Sequence, residues 1–270
     1  MSSSVSRRSR LTLRGIALGY LALILVAPVG LVFYRTFEHG FAAAWHSVTT
    51  PAAQHAFWLT VELVAISVPL NTLFGVVAAT AIVRHRFPGR GLFTALLDLP
   101  FAVSPVVVGL AILLVYGRKG WFGTWLADHG IQVIFSVPGM VLATIFVSLP
   151  FVVREVIPVL REIGTEQEEA ATTLGASPFT TFRRITLPAI RWGVAYGVVL
   201  TTARALGEFG AVSVVSGHLV GQTETLTLHV QDRFEAFDLT GAYAASVVLA
   251  LLAIATLASM TLLRRRGAPA

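Results

Sequence analysis

Arg204 and Glu208 stand four residues apart in an otherwise apolar run, Trp192–Val215. That spacing puts both on one face of a helix, within reach of each other. Charge buried in a bilayer is costly, so such residues need a partner or a task. Two roles fit. The pair can neutralise itself against neighbouring helices, or Arg204 can attract an oxyanion while Glu208 tempers the hold so that the anion leaves, as conduction requires. At a rise of about 1.5 Å per residue, Arg204 is expected roughly 18 Å into its run, near mid-membrane. Gly207 and Phe209 flank Glu208 and Gly210 follows; the glycines permit close helix approach, for packing or for a gate. In another apolar run, "DLPFAVSP" supplies Pro100, Ser104 and Pro105. Proline kinks a helix and frees carbonyls, which can line a cavity or simply pack. Arg204, Gly207, Glu208, Phe209, Ser104 and Pro105 are the candidate path or gate. Glu62 and Asp98 lie nearer the ends of their runs and read as structural acids, snorkelling or hydrogen-bonded.

A second concentration of polar chemistry is "EEAATTLGASPFTTFRRITLP", Glu168 to Pro188. Glu166, Glu168 and Glu169 favour the first turn of a helix, where its dipole is positive. Ala170, Ala171 and Leu174 recur at helical spacing. Gly175 stands where a helix end commonly adopts positive φ, and Ser177-Pro178 starts a new helix with a cap and a first-turn proline. Phe179, Phe182 and Ile185 repeat every third residue, and Leu187-Pro188 is expected to end that helix. Two short amphipathic helices joined at a glycine are too short to stand alone in water, so each needs a surface, either the chain's own span ends or a separate protein.

These residues sit in a chain of 270 with 55% hydrophobic and only 13% charged side chains, where soluble domains carry about 25% charged. Runs of roughly 20 apolar residues recur, long enough to cross a bilayer core. An all-α membrane protein with six transmembrane helices is expected: Gly15–Phe33, Phe57–Val83, Leu92–Val115, Val137–Val156, Trp192–Val215 and Ala242–Leu263. The domain reading is an N-terminal tail over residues 1–14, a membrane domain over 15–263 with its polar loop at about 157–191, and a C-terminal tail over 264–270. The net charge of +6 does not point to nucleic acid, because the arginines cluster by topology. The N-terminal tail, the second-to-third and fourth-to-fifth connections and the C-terminus hold fifteen of the 20 basic residues, so both termini are expected in the cytoplasm. "SRRSRLTL" (Ser6 to Leu13) also resembles a twin-arginine export signal, but its removal leaves five spans, so an uncleaved first span is expected.

Several chemistries find no support. The only lysine is Lys119, so no phosphate loop of the Gly-Lys-Ser/Thr kind exists in this chain. The seven histidines show no spacing that holds a metal and receive no role. No nucleophile–base set stands out, which leaves an intramembrane enzyme without a catalytic group. An ion-coupled secondary transporter usually shows repeated halves, and no repeat is visible.

Glu169-Ala170-Ala171, three residues, Gly175, nine residues and Ile185-Thr186-Leu187-Pro188 match the signature loop of bacterial ABC-importer permeases. "FWLTVELVAISVPLNTLFG" (Phe57–Gly75), "LLDLPFAVSPVVVGL" (Leu96–Leu110), "FVVREVIPVL" (Phe151–Leu160) and "ARALGEFGAVSVVSG" (Ala203–Gly217) are similar to permeases of the sulfate/thiosulfate importers. The likeness runs from about His55 to Ala245. Related molybdate permeases share "LGEFGA" (Leu206–Ala211), which keeps molybdate or tungstate as the alternative substrate. The resemblance implies a type I importer permease fold in the inner membrane's lipid bilayer. It implies that the loop carries coupling helices, with Glu169, Ala170, Ala171, Gly175, Ile185, Leu187 and Pro188 shaping the contact with a cytoplasmic ABC ATPase dimer. ATP and Mg would be used by that partner, with no cofactor in this chain. A second, homologous permease subunit and a periplasmic sulfate-binding protein complete the implied assembly.

Overall fold

The computed structural model describes residues 7–267. Residues 1–6 and 268–270, the outer parts of the two expected tails, lie outside the described residues, and the rest of both tails is helical. The first span is longer than expected. It runs through α1 (Arg7–Leu21), a π-helical turn at Ala22–Val26 and α2 (Ala27–Phe37). Pro28, at the start of α2, has no N–H and its ring crowds the carbonyl four residues back. The wide turn before it, closed by Ala27 N–H donating to Ala22 O, keeps the helix continuous. A short α3 (Phe41–Val48) leads to Thr50, whose hydroxyl accepts the Ala53 N–H and caps α4 (Pro51–Arg84), with Pro51 in the first turn.

The third expected span is broken. α5 (Arg90–Ala102) and α6 (Pro105–Tyr116) meet at 113°. Ser104 is extended and Pro105 begins the new helix, so the proline sets a corner where a kink was expected. A short α7 (Gly123–Asp128) follows. The fourth span is α8 (Val137–Ser148) and α9 (Pro150–Glu162), continuous through Leu149.

The fifth span departs furthest from expectation. After α10 (Glu166–Thr173), α11 (Pro178–Thr181) does not end at Leu187-Pro188. It passes through a π-helical turn at Phe182–Thr186 into α12 (Leu187–Leu206), forming one apolar helix over Pro178–Leu206. Leu187 N–H donates to Phe182 O, the same five-residue closure that precedes Pro28. The span then stops at Leu206, and α13 (Gly210–Ser216) is a separate helix. Finally α14 (Leu226–Glu235) packs on α15 (Leu239–Gly267).

Among the described residues five helices are long and apolar enough to cross a membrane, or six if the bent α5–α6 pair counts as one. α4, α9 and α12 pack together at the centre, with α15 against α12. Two apolar cores are stacked along the bundle. One joins Leu63, Val108, Met140 and Val212, and the other joins Ile82, Val152, Leu160 and Ile190. Between them lie buried polar side chains: Asn71 donates to Ser148 Oγ at 2.8 Å and to Ile145 O at 3.2 Å. Two of the apolar clusters thus flank a seam of buried polar side chains, in which the Asn71 amide ties α4 to α8.

Candidate functional site

The two broken helices meet at their breaks. A Cβ placed on Gly210 would lie 2.9 Å from Pro105 Cβ, and one on Gly109 would lie 2.7 Å from Ala211 O. Only glycine lets α13 approach α6 so closely. Pro105 is thereby brought against Gly210, which is distant in sequence and stands two residues after Glu208. Ser104 and Phe209 are exposed, and Glu208 is buried.

Arg204 and Glu208 do pair, across the break between α12 and α13 rather than midway along one helix. Arg204 Nη1 lies 2.7 Å from Glu208 Oε2, with 30% of the arginine side chain and 2% of the carboxylate exposed. Glu208 Oε1 accepts the Ala211 N–H at 2.9 Å, and its carbonyl accepts the Thr227 hydroxyl at 2.8 Å. The carboxylate therefore holds the last turn of α12 and the first of α13 together, and the Glu208 backbone is tied to the start of α14. The helix from Trp192 to Arg204 is continuous, as expected, but it ends at Leu206, so Arg204 occupies the final turn before the corner.

Asp98 takes the hydrogen-bonded of the two structural roles expected of it. It accepts from Arg154 Nε at 2.9 Å, and the guanidinium lies 4.3 Å over the Phe101 ring. Both members are about half exposed. Glu62 is exposed on α4.

The connection between α13 and α15 carries a cluster that spacing did not reveal. His229 Nδ1 lies 2.9 Å from Glu224 Oε1 with both side chains buried, and His218 Nδ1 lies 3.6 Å from Asp232 Oδ1. Burial, and then repulsion from Glu224, push the Asp232 carboxyl above its ordinary 3.8, against the pull of His218. The sequence signal was a histidine five residues after a glutamate in a short polar loop, which reads as ordinary surface until α14 folds it inward. Among the described residues no group of three or more such side chains could hold a metal.

The polar loop has the local geometry that its residues imply. Gly175 takes φ +85°, Gly175 N–H donates to Thr172 O and Ala176 N–H to Ala171 O, which satisfies the end of α10. Ser177 Oγ accepts the Thr180 N–H and caps α11. The apolar face expected to be covered is open: α10 buries none of its residues, Leu174 is 88% exposed and Phe179 is 72% exposed. Phe182 and Ile185 are half-buried, with Phe182 packed against the core of Ile82, Val152, Leu160 and Ile190. Glu169 and Ala170 are exposed, with Glu169 Oε1 accepting from Thr165 at 2.6 Å, and Ala171 is half-buried. Leu187 and Pro188 are exposed on α12.

Glu168, which the sequence did not single out, is the residue that ties this loop to the bundle. Its Oε1 accepts from Thr186 at 2.7 Å and its Oε2 lies 2.8 Å from Arg84 Nε. Arg84 also donates to Leu160 O and Gly164 O at 3.0 and 2.7 Å.

A family described as binding-protein-dependent transport system inner membrane component matches residues 71–268. The sulfate transport system permease protein CysW of Synechocystis sp. is 55% identical over 251 residues, covering 93% of this chain and 91% of that protein. The protein of the same name from Escherichia coli (strain K12) is 48% identical, covering 93% and 87%. Its CysT counterpart from that strain is 38% identical over 94% of this chain and 92% of its own length. The crystal structure of a bacterial ABC transporter that imports the acidic polysaccharide alginate superposes with a TM-score of 0.80 over 97% of this chain and 98% of that one, at 17% identity, a likeness of fold.

Proposed function

The chain belongs to the binding-protein-dependent transport system inner membrane components, and from that premise we propose that it forms part of the path by which sulfate or thiosulfate is imported at the expense of ATP hydrolysed on another chain. The substrate follows the relatives named as sulfate permeases, at about half identity over nearly the whole chain.

The observation that carries the mechanism is the open face of α10 and α11. A polypeptide surface that presents Leu174 and Phe179 to the outside, the first at the end of a helix with no buried residue of its own and the second at the start of the next, needs a cover. A groove on a cytoplasmic ATPase supplies one, with Glu169, Ala170, Ala171 and Gly175 shaping the contact and Ile185, Leu187 and Pro188 leading into the span. ATP and Mg act there, on the partner. The corner formed by Ser104, Pro105, Gly207, Glu208 and Phe209 serves as the path or gate, with Arg204 offering the positive charge that draws a divalent oxyanion inward. A second, homologous permease faces this one, and a periplasmic binding protein delivers the anion at the opposite face. Both termini lie in the cytoplasm.

Uptake of labelled sulfate in cells deleted for this chain, with and without its return, tests the substrate. Uptake that depends on the chain, falls with excess thiosulfate and resists molybdate supports the reading. Uptake unaffected by the deletion removes sulfate and turns the same experiment to labelled molybdate.

A further inference from the structure

The loop that meets the motor and the spans that must move are joined at one buried ion pair. Arg84 is the last residue of α4, Leu160 and Gly164 flank the end of α9, Glu168 lies in the first turn of α10, and Thr186 is the residue before α12. From the end of α4, one guanidinium contacts α9, the turn after it and α10: Nη1 donates to Leu160 O, Nη2 donates to Gly164 O, and Nε faces Glu168 Oε2 at 2.8 Å. The other carboxylate oxygen of Glu168 accepts from Thr186. Only 10% of the Arg84 side chain and 19% of that of Glu168 are exposed, so water competes weakly for these bonds. Arginine suits the position because its planar fork serves several acceptors at once, which a lysine cannot do.

α10 packs no buried side chain against the bundle. Apolar contact therefore does not fix its position relative to α4 and α9, and the polar bonds of Glu168 must. The Arg84–Glu168 contact is an ion pair at 2.8 Å, and Thr186 donates to the other carboxylate oxygen at 2.7 Å, so together they tie α10 to the end of α4 and the start of α12. Movement of α10 would then carry the ends of α4, α9 and α12 with it as one body.

We propose that Arg84 and Glu168 are a positioning pair that transmits displacement of the docking helix to the second, fourth and fifth spans. This rests on the reading of α10 as the surface met by the ATPase. Glu169, the acid in the signature itself, points elsewhere: it is exposed and bonded to Thr165, so it belongs to the docking face, while Glu168 belongs to the linkage.

The test uses the complete transporter, with its ATPase, second permease and binding protein, reconstituted in lipid. The natural chain has no cysteine, so Val107→Cys, on the exposed surface of α6 near the helix corner, is the one thiol of this chain, and its labelling, read on this chain after the subunits are separated, is followed with and without ATP. That readout does not depend on which anion is carried. Arg84→Gln, Arg84→Lys and Glu168→Gln are compared in this background, with ATPase rate and co-purified ATPase measured alongside. The expected result is that ATPase binding and hydrolysis persist while the ATP-dependent change at residue 107 falls about tenfold in Arg84→Gln and Glu168→Gln. Arg84→Lys fails to restore it, and the double replacement is no worse than either single one. An unchanged reporter response in both single variants overturns the proposal. So does a loss that tracks loss of bound ATPase, because the pair would then merely fold the docking surface. If no variant including the parent shows sulfate uptake yet the reporter follows ATP, the sulfate reading fails and the linkage stands. If the parent reporter does not respond to ATP, the linkage is overturned as well.

Discussion

Pro105 and Gly210 touch at the corner of two broken helices, so closely that a Cβ on the glycine would lie 2.9 Å from that of the proline. This contact, rather than any ion pair, decides how near α6 and α13 can come. Gly207, three residues earlier, is different: the nearest atom to a Cβ there is Ala203 O at 3.9 Å. Gly210→Ala is therefore expected to push the corner open and cost about 1–3 kcal/mol, as overpacking does. Gly207→Ala is expected to be tolerated within about 0.5 kcal/mol. Thermal unfolding of the purified complex measures both; equal effects at the two positions would mean that the corner is not set by packing.

Arg204 and Glu208 give a second contrast. Glu208 is buried, and removal of its cation leaves a charge with one N–H donor and no counterion at close range. Arg204→Leu is expected to destabilise by roughly 3 kcal/mol, whereas Arg204→Leu with Glu208→Leu recovers part of that loss. Measured melting temperatures order the variants. A double variant that is well folded and yet does not transport assigns the pair to the path; one that is folded and active makes it a structural clasp.

The contrast also shows what the sequence could disclose. An i, i+4 pair and a helix end at Gly175 are local, so residue spacing sufficed for both. The breaks were not local. Ser104-Pro105 reads as a kink in one span, and Gly207–Phe209 reads as the middle of another, until α6 and α13 are seen to need each other. Leu187-Pro188 reads as a helix end because proline cannot close an ordinary turn, yet a five-residue turn at Phe182–Thr186 carries the helix past it. Arg84 with Glu168 and Asp98 with Arg154 are joined only by the packing of distant helices, and neither partner names the other in sequence.

Gly175→Leu bears on the docking surface. A side chain there meets nothing within 4 Å, but φ is +85°, which costs an ordinary residue about 1–2 kcal/mol. The chain is expected to insert normally while the angle between α10 and α11 shifts, so that ATP hydrolysis continues with little uptake. Gly175→Asn, which tolerates that conformation better, should retain more uptake than Gly175→Leu. If both variants transport as the parent does, the turn is not part of the coupling contact.

Asp232 supplies a pH dependence. Its carboxyl titrates above its ordinary 3.8 because burial and Glu224 disfavour the charge. For an acid whose folded value is raised, the fold favours the protonated form. The penalty is absent below the unfolded value, grows as pH rises through the interval between the two values, and is complete above the folded one. Asp232→Asn removes it. At neutral pH the variant is expected to melt no lower than the parent, and its advantage should shrink as the pH approaches 3.8. His218 opposes the effect by lying 3.6 Å from the carboxylate, so His218→Gln should widen the gap at neutral pH between chains with and without Asp232→Asn. Melting curves of the parent, the two single variants and the double variant over this range, in the assembled complex, check the sign: a variant at position 232 that melts several degrees lower at neutral pH would show that the contact with His218 outweighs burial.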